Sequence, residues 1–252
     1  MVWWRVAIGA LGMILIWRPW KVSWTGRTIF TSVLFGLALA GMNLVFYESI
    51  ARIPLGVAVS VEFVGPVMVA VFRGRGWAPR IAALIAFGGV ALIGGLGLDL
   101  TDPRVLEGFL FGLGAGAAWA LYILLGSHIS QSAPPGPSLA VGTAAAGVVF
   151  LPFLWGPVVA EPLAVGSVFT WTLILSLVGV ALFSSTIPYS IESVAFSRLS
   201  APTFALLTAL LPATSTLVGA VALRQIPSVA ELVGLVLISI AVWLASRPSQ
   251  AV

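Results

Sequence analysis

The chain contains no cysteine and a single histidine, His128. The first absence excludes disulfides, thiolate metal sites and cysteine nucleophiles, and the second makes a histidine-rich metal centre untenable. Charge is scarce too. Asp, Glu, Lys and Arg make up 8% of the 252 residues, against roughly 25% in soluble domains. With 60% apolar residues and a mean hydropathy of +1.13, there is not enough polar surface to cover a water-soluble globule of this size. The net charge of +4 does not point to nucleic acid, because the basic residues fall in short loops rather than one patch. No P-loop is visible, so neither direct ATP use nor a resident cofactor is expected.

What the chain does have is apolar runs along its whole length, which excludes a lone signal peptide before a soluble domain. A helix needs about 20 residues to cross the hydrocarbon core. Runs of that kind lie at 1–17, 28–51, 55–72, 81–98, 108–126, 138–155, 169–197, 201–223 and 229–246. None alternates as a strand would, and lipid leaves no partner for an open sheet edge. Trp3, Trp4, Trp17, Trp20, Trp24, Trp77, Trp155 and Trp171 fall near the ends of these runs, as interfacial aromatic belts do. The composition is that of a multi-pass, all-α integral membrane protein embedded in a lipid bilayer.

Positive charge orients it. The loop after the first run holds Arg18, Lys21 and Arg27, and the loop after the third holds Arg73, Arg75 and Arg80. The loop after the fourth run instead carries Asp99, Asp102 and Glu107 against Arg104. These assignments place the two basic loops and the C-terminus in the cytoplasm, with Arg52 and Arg224 as exceptions on the outer side. The two halves also repeat. One constant offset places Arg52 on Arg198, Pro66 on Pro212 and Gly88 on Gly234, with turns and hydropathy in register. The two arginines fall on opposite sides of the membrane, so the copies are inverted, as in secondary transporters. The expected units are 1–107, with four helices, and 108–252, with five. The helix without a counterpart is 108–126, so the first repeat is read as lacking its opening helix.

Within this frame Glu62 stands out, an acid near the middle of the run 55–72. An acid at the bilayer centre costs roughly 2.5–3.5 kcal/mol on insertion scales and marks a substrate or proton path by default. The other reading is a buried carboxyl held neutral or hydrogen-bonded to a neighbouring helix. Ala58, Val59, Gly65 and Pro66 lie one turn away, which leaves room for a cavity or a close helix contact. Pro66 has no N–H, so the Glu62 carbonyl is expected to be free. Pro212 is expected to do the same to Thr208, the repeat-equivalent of Glu62.

Asn43 and Tyr47 share a helix face, as do Trp119 and, nearly, Tyr122; these line a pocket or bond helix to helix. Glu192, after Pro188 and Tyr189, is either an inner gate or an acid reaching for water. Glu48 has the spacing of a surface pair with Arg52. Arg5, inside the first run, either holds a carboxylate or snorkels outward. Gly108, Gly112 and Gly116 mark a close-packing face. An intramembrane enzyme would require paired acids, His or Cys at midplane, and only Glu62 is central.

The stretches "RVAIGALGMILIWRPW", "GMNLVFYESIARIPLGVAVSVEFVGPVMVAVF", "GAGAAWALYILLG" and "PYSIESVAFSRLSAPTFALL" resemble the EamA family of the drug/metabolite transporter superfamily, and within it bacterial threonine/homoserine exporters. That resemblance implies ten helices in two inverted five-helix repeats, with both termini cytoplasmic. It also implies secondary export of small metabolites, often amino acids, across the inner membrane. The chain departs from the family at Leu211, where an acid tends to precede the proline, and at Arg224-Gln225, where Gly-Glu is common. Proton coupling, a homodimeric assembly, and a non-transporting or truncated component all stay open at this level. A phosphatase fusion at Thr101 is expected to be active and a fluorescent-protein fusion at the C-terminus to fluoresce; the reverse pattern would invert the topology.

Overall fold

The protein is described by a computed structural model covering residues 2–53, 55–74, 76–94, 100–164, 171–208, 210–211 and 228–245. Among these residues the regular structure is helical. The elements are α1 (Val2–Trp17), a 3₁₀ turn (Pro19–Lys21), α2 (Gly26–Ile50), α3 (Leu55–Glu62), α4 (Val64–Arg73), α5 (Trp77–Gly94) and α6 (Pro103–Ile129). They continue with α7 (Pro135–Ala164), α8 (Trp171–Ala181), a π-helical turn (Leu182–Thr186), α9 (Ile187–Arg198), α10 (Ala201–Leu207) and α11 (Val229–Ala245).

Helix starts follow local chemistry. Thr25 and Thr28 cap α2 reciprocally, each side-chain oxygen accepting the other's backbone N–H. The Asp102 carboxylate accepts the Arg104 N–H at 2.8 Å, ahead of Pro103 at the first helical position. That cap starts α6 five residues before the expected 108, turning part of a presumed loop into helix. Ser200 caps α10 by accepting from the Thr203 N–H. Two expected single spans are interrupted. The run 55–72 is split into α3 and α4 at Phe63, and 169–197 widens into the π turn just before Pro188. Both interruptions precede a proline that withdraws one backbone donor.

The chain forms two compact units. The first combines Met1–Ala40 with Leu125–Arg198. Here α1 lies along α7, and the Trp17 indole rests on Gly136 while donating to the Ser190 hydroxyl at 3.1 Å. Gly36 of α2 and Gly142 of α7 meet backbone to backbone; a Cβ on either would overlap the other helix. Phe35 meets Phe196 edge-on at 5.8 Å. The π turn is stitched to α1 by the Thr186 hydroxyl, which faces the carbonyls of Gly9 at 3.2 Å and Ala181 at 3.4 Å.

The second unit combines Gly41–Leu124 with Leu199–Val252. Its most extensive packing is α5 against α11, with Ala82, Ala86, Val90, Ile238 and Ala241 fully buried. α10 packs on α4. Two packing pairs thus join elements that the repeat offset equates, α1 with α7 and α5 with α11, whereas α10 packs on α4 rather than on α3, its own counterpart.

The size gradient of side chains runs outward. Fully buried positions are rich in alanine, among them Ala58, Ala70, Ala83, Ala115, Ala140 and Ala181, whereas Phe72, Val148 and Phe183 are more than 70% exposed. In water such a surface would aggregate; in lipid the outer Leu, Phe and Val are solvated and small residues let backbones approach. α2, α6 and the stretch Leu175–Arg198 are long and apolar enough to cross a membrane. Gly142→Val is expected to destabilise the protein by about 1–3 kcal/mol, the range for overpacking a tight contact, read as a lower thermal midpoint in detergent. Gly147→Ala, whose Cβ meets nothing within 4 Å, should leave the midpoint unchanged or raise it.

Candidate functional site

Glu62 ends α3 and is buried, 7% exposed. Among the described residues its carboxylate makes no hydrogen bond or ion pair. The chain around it is held by neighbours. The Phe63 N–H donates to the Val59 carbonyl at 3.0 Å, and the Val67 N–H to the Phe63 carbonyl at 3.2 Å. Between these two bonds Pro66 leaves the Glu62 carbonyl without its usual helical donor.

That carbonyl is not free to face a pocket, contrary to expectation, because α6 covers it. An ideal Cβ on Gly116 would stand only 2.6 Å from the Glu62 oxygen, and one on Gly65 would overlap the Gly116 carbonyl. The Gly116 Cα hydrogen therefore points at the orphaned oxygen, a weak C–H···O contact worth about 0.5–1 kcal/mol. Of the two readings for the small face beside Glu62, close helix contact is what Gly65 provides. One turn on, Trp119 meets Phe63 edge-on at 6.3 Å. The α6 glycine row continues the seam in the other direction. Gly112 faces Val61 and Ser49, and Gly108 faces Ile53 and Arg52, with the Ser49 hydroxyl donating to the Gly108 carbonyl at 2.8 Å.

The counterpart in α10 also departs from expectation. The Thr208 carbonyl accepts the Leu211 N–H at 3.0 Å, a tighter turn that replaces the donor Pro212 lacks. The Thr208 hydroxyl donates back to the Ala205 carbonyl at 2.6 Å. Thr208 is half-buried, Leu211 is exposed, and Pro212, Arg224 and Gln225 lie outside the described residues. Asn43, Tyr47 and Trp119 are half-buried and Tyr122 is fully buried, all within the second unit, as are Glu62, Pro66 and Thr208. Glu192 and Pro188 belong to the first unit, where the π turn absorbs the lost donor: the Ile187 N–H reaches back to the Leu182 carbonyl.

At the end of α2 the expected Glu48–Arg52 pair forms and extends further. The Arg52 guanidinium donates to the Glu48 carboxylate at 2.6 Å and carbonyl at 2.8 Å, and to Glu107 at 3.1 Å. It also sits 4.8 Å over the Phe111 ring. Hydrogen bonds donated to Glu48 and then Glu107 hold its pKa above the ordinary arginine value, so it stays cationic. Sequence reading missed Glu107 and Phe111 because their helix arrives from far along the chain. It likewise missed the Gly116 cover on Glu62, for which the four-residue glycine spacing was the available signal. Among the described residues no cluster of His, Cys, Asp or Glu is suited to a metal ion.

Small residues inside, large apolar residues outside and, among the described residues, a buried Glu62 at a helix interruption define a polytopic α-helical membrane protein. Comparison with known proteins sharpens that class. The EamA-like transporter family matches residues 106–247. The threonine/homoserine exporter RhtA of Salmonella typhimurium strain LT2 is 35% identical over 221 residues, covering 88% of this chain and 72% of the relative. RhtA of Escherichia coli strain K12 is 33% identical over the same shares. A solved crystal structure shares the fold with a TM-score of 0.71 at 17% identity, over 97% of this chain and 86% of that one. The chain belongs to the EamA-like transporter family.

Gly116→Ala should push α6 off the α3–α4 break, lowering the thermal midpoint by the equivalent of about 1–3 kcal/mol. Gly114→Ala, whose Cβ would meet only Val45 at 3.3 Å, should cost markedly less. Equal midpoints for the two variants would remove the special role given to the Gly116 contact.

Proposed function

We propose that the protein is a secondary-active exporter of small amino acids, of the threonine and homoserine class, in the bacterial inner membrane. Its relatives carry that activity in their names, and the identity extends over most of the chain. The observation that carries the reading is Glu62: a buried acid at a helix interruption, with no hydrogen-bond or ion partner among the described residues. A zwitterionic substrate brings an ammonium group that such a carboxylate can pair, and a proton can take its place when the substrate leaves. Either event satisfies a charge that is otherwise expensive in an apolar interior.

The same group therefore serves as substrate contact and proton carrier by turns, which couples export to proton entry. Asn43, Tyr47, Trp119, Tyr122 and Thr208 are assigned to the surroundings of the substrate, and Glu192 to an inner proton exit. The repeats 1–107 and 108–252 supply the inverted symmetry for alternating access. Each compact unit draws helices from both repeats, so neither repeat is assigned as a single moving body. The C-terminus is placed in the cytoplasm.

Counterflow of labelled threonine and homoserine in proteoliposomes tests this. Glu62→Gln is expected to lower the rate by at least about tenfold, equivalent to about 1.4 kcal/mol, and to flatten its dependence on pH, while Glu62→Asp keeps part of both. Unchanged transport and pH response in Glu62→Gln would remove Glu62 from the mechanism. No counterflow of either amino acid by the wild type would remove the substrate class.

A further inference from the structure

The loop between α1 and α2 plays no part in the site above, and it is built unusually for a connector. Its turn is fixed. Arg18 follows α1 in the left-handed region, φ 47° and ψ 63°, and is the one non-glycine residue with positive φ among those described. The Lys21 N–H donates to the Arg18 carbonyl at 2.9 Å and the Val22 N–H to the Pro19 carbonyl at 3.2 Å. The Trp24 indole N–H donates to that same Pro19 carbonyl at 2.8 Å.

A side chain in the left-handed region is strained, and glycine or asparagine would relieve the strain. The chain keeps an arginine there. The Arg18–Lys21 hydrogen bond closes a turn, which brings the two Cα atoms to within about 7 Å. Arg27 follows in the first turn of α2, and Trp20 between the first two cations is 63% exposed.

These cations differ from Arg52 and Arg80 in what they touch. Arg52 is occupied by two carboxylates, and Arg80 donates to the Val71 carbonyl and lies 5.5 Å over the Trp77 ring. The exposed side chains of Arg18, Lys21 and Arg27 have no hydrogen-bond or ion partner among the described residues. No Asp or Glu occurs in the sequence before Glu48. α2 is long and apolar enough to span a membrane, so the loop at its start lies at a membrane face. There an exposed indole sits at headgroup level, and guanidinium and ammonium groups meet lipid phosphates.

We propose that the Arg18–Arg27 loop is a binding site for the phosphate of an anionic glycerophospholipid. Arg18 and Lys21 clasp the phosphate across the fixed turn, Arg27 adds charge, and Trp20 anchors in the headgroup layer. Each cation contributes about a five-fold gain in affinity for an anionic surface, and the site weakens as salt screens it.

The test is thermal unfolding of the full chain in a mild detergent, titrated with phosphatidylglycerol, phosphatidylcholine or free glycerol phosphate. Phosphatidylglycerol is expected to raise the midpoint saturably, phosphatidylcholine and glycerol phosphate not. The variant Arg18→Asn/Lys21→Gln/Arg27→Gln should shift the phosphatidylglycerol titration at least tenfold to higher lipid while keeping the lipid-free midpoint, since asparagine tolerates the Arg18 backbone. Should that variant fail to fold, Lys21→Gln/Arg27→Gln leaves the strained turn untouched and should still shift the titration several-fold. Arg73→Gln/Arg80→Gln should respond as the wild type. The proposal is overturned if loop variants bind phosphatidylglycerol like the wild type, or if the Arg73/Arg80 variant loses the response equally. A matching shift with phosphatidylcholine, or with glycerol phosphate, which would identify a soluble anion as the ligand, overturns it as well.

Discussion

In an apolar solvent every backbone carbonyl needs a donor from within the protein, and Pro66 and Pro188 each remove one. The consequences organise much of what surrounds them. Pro66 strands the Glu62 carbonyl, the helix breaks at Phe63, and α6 must bring a residue without a side chain close enough to cover the exposed oxygen. Gly116 meets that need, and its neighbours Gly112 and Gly108 keep α6 close to α3 and the end of α2. Pro188 strands a carbonyl in the other unit, and there the response is different. The helix widens by one residue per turn at Leu182–Thr186, and the Thr186 hydroxyl is placed against the Ala181 and Gly9 carbonyls.

The same constraint explains why this interior is built from alanine, glycine and serine. Lipid supplies no hydrophobic drive between helices, so cohesion comes from close van der Waals contact and from hydroxyls that bond to the nearest carbonyl. Ser32, Ser49, Thr143, Thr186 and Ser193 are all buried and all donate to backbone oxygens. Against that background a buried carboxyl is out of keeping. Hydroxyls in this bundle find backbone carbonyls on their own or a neighbouring helix, whereas the Glu62 carboxylate has no hydrogen-bond or ion partner among the described residues, which is why the proposed function rests on it.

Spans were legible because their signal is solvent-scale. Twenty apolar residues between turns read the same wherever they pack, and the runs at 28–51 and 108–126 reappear as α2 and α6. Boundaries moved where a cap decided them, as Asp102 did for α6. Glu62 and Pro66 were legible as an acid and a lost donor on one turn. The fate of the lost donor was not, because Gly116 lies on another helix and its relevance exists only when the two are side by side. Thr208 shows the reverse error: equivalence in the repeat implied an equally free carbonyl, yet Leu211 closes it locally through a tighter turn.

By itself, then, the sequence determined the solvent this chain lives in, the helices that cross it and Glu62 as an acid out of place, since each follows from composition or from spacing along a single segment. Tertiary structure alone decided what that acid's backbone leans on, that Arg52 is shared by Glu48 and Glu107, and that Arg18 and Lys21 are held together on a strained turn. Those are contacts between residues distant along the chain, or conformations set by hydrogen bonds across a turn, and no pattern within one segment encodes them.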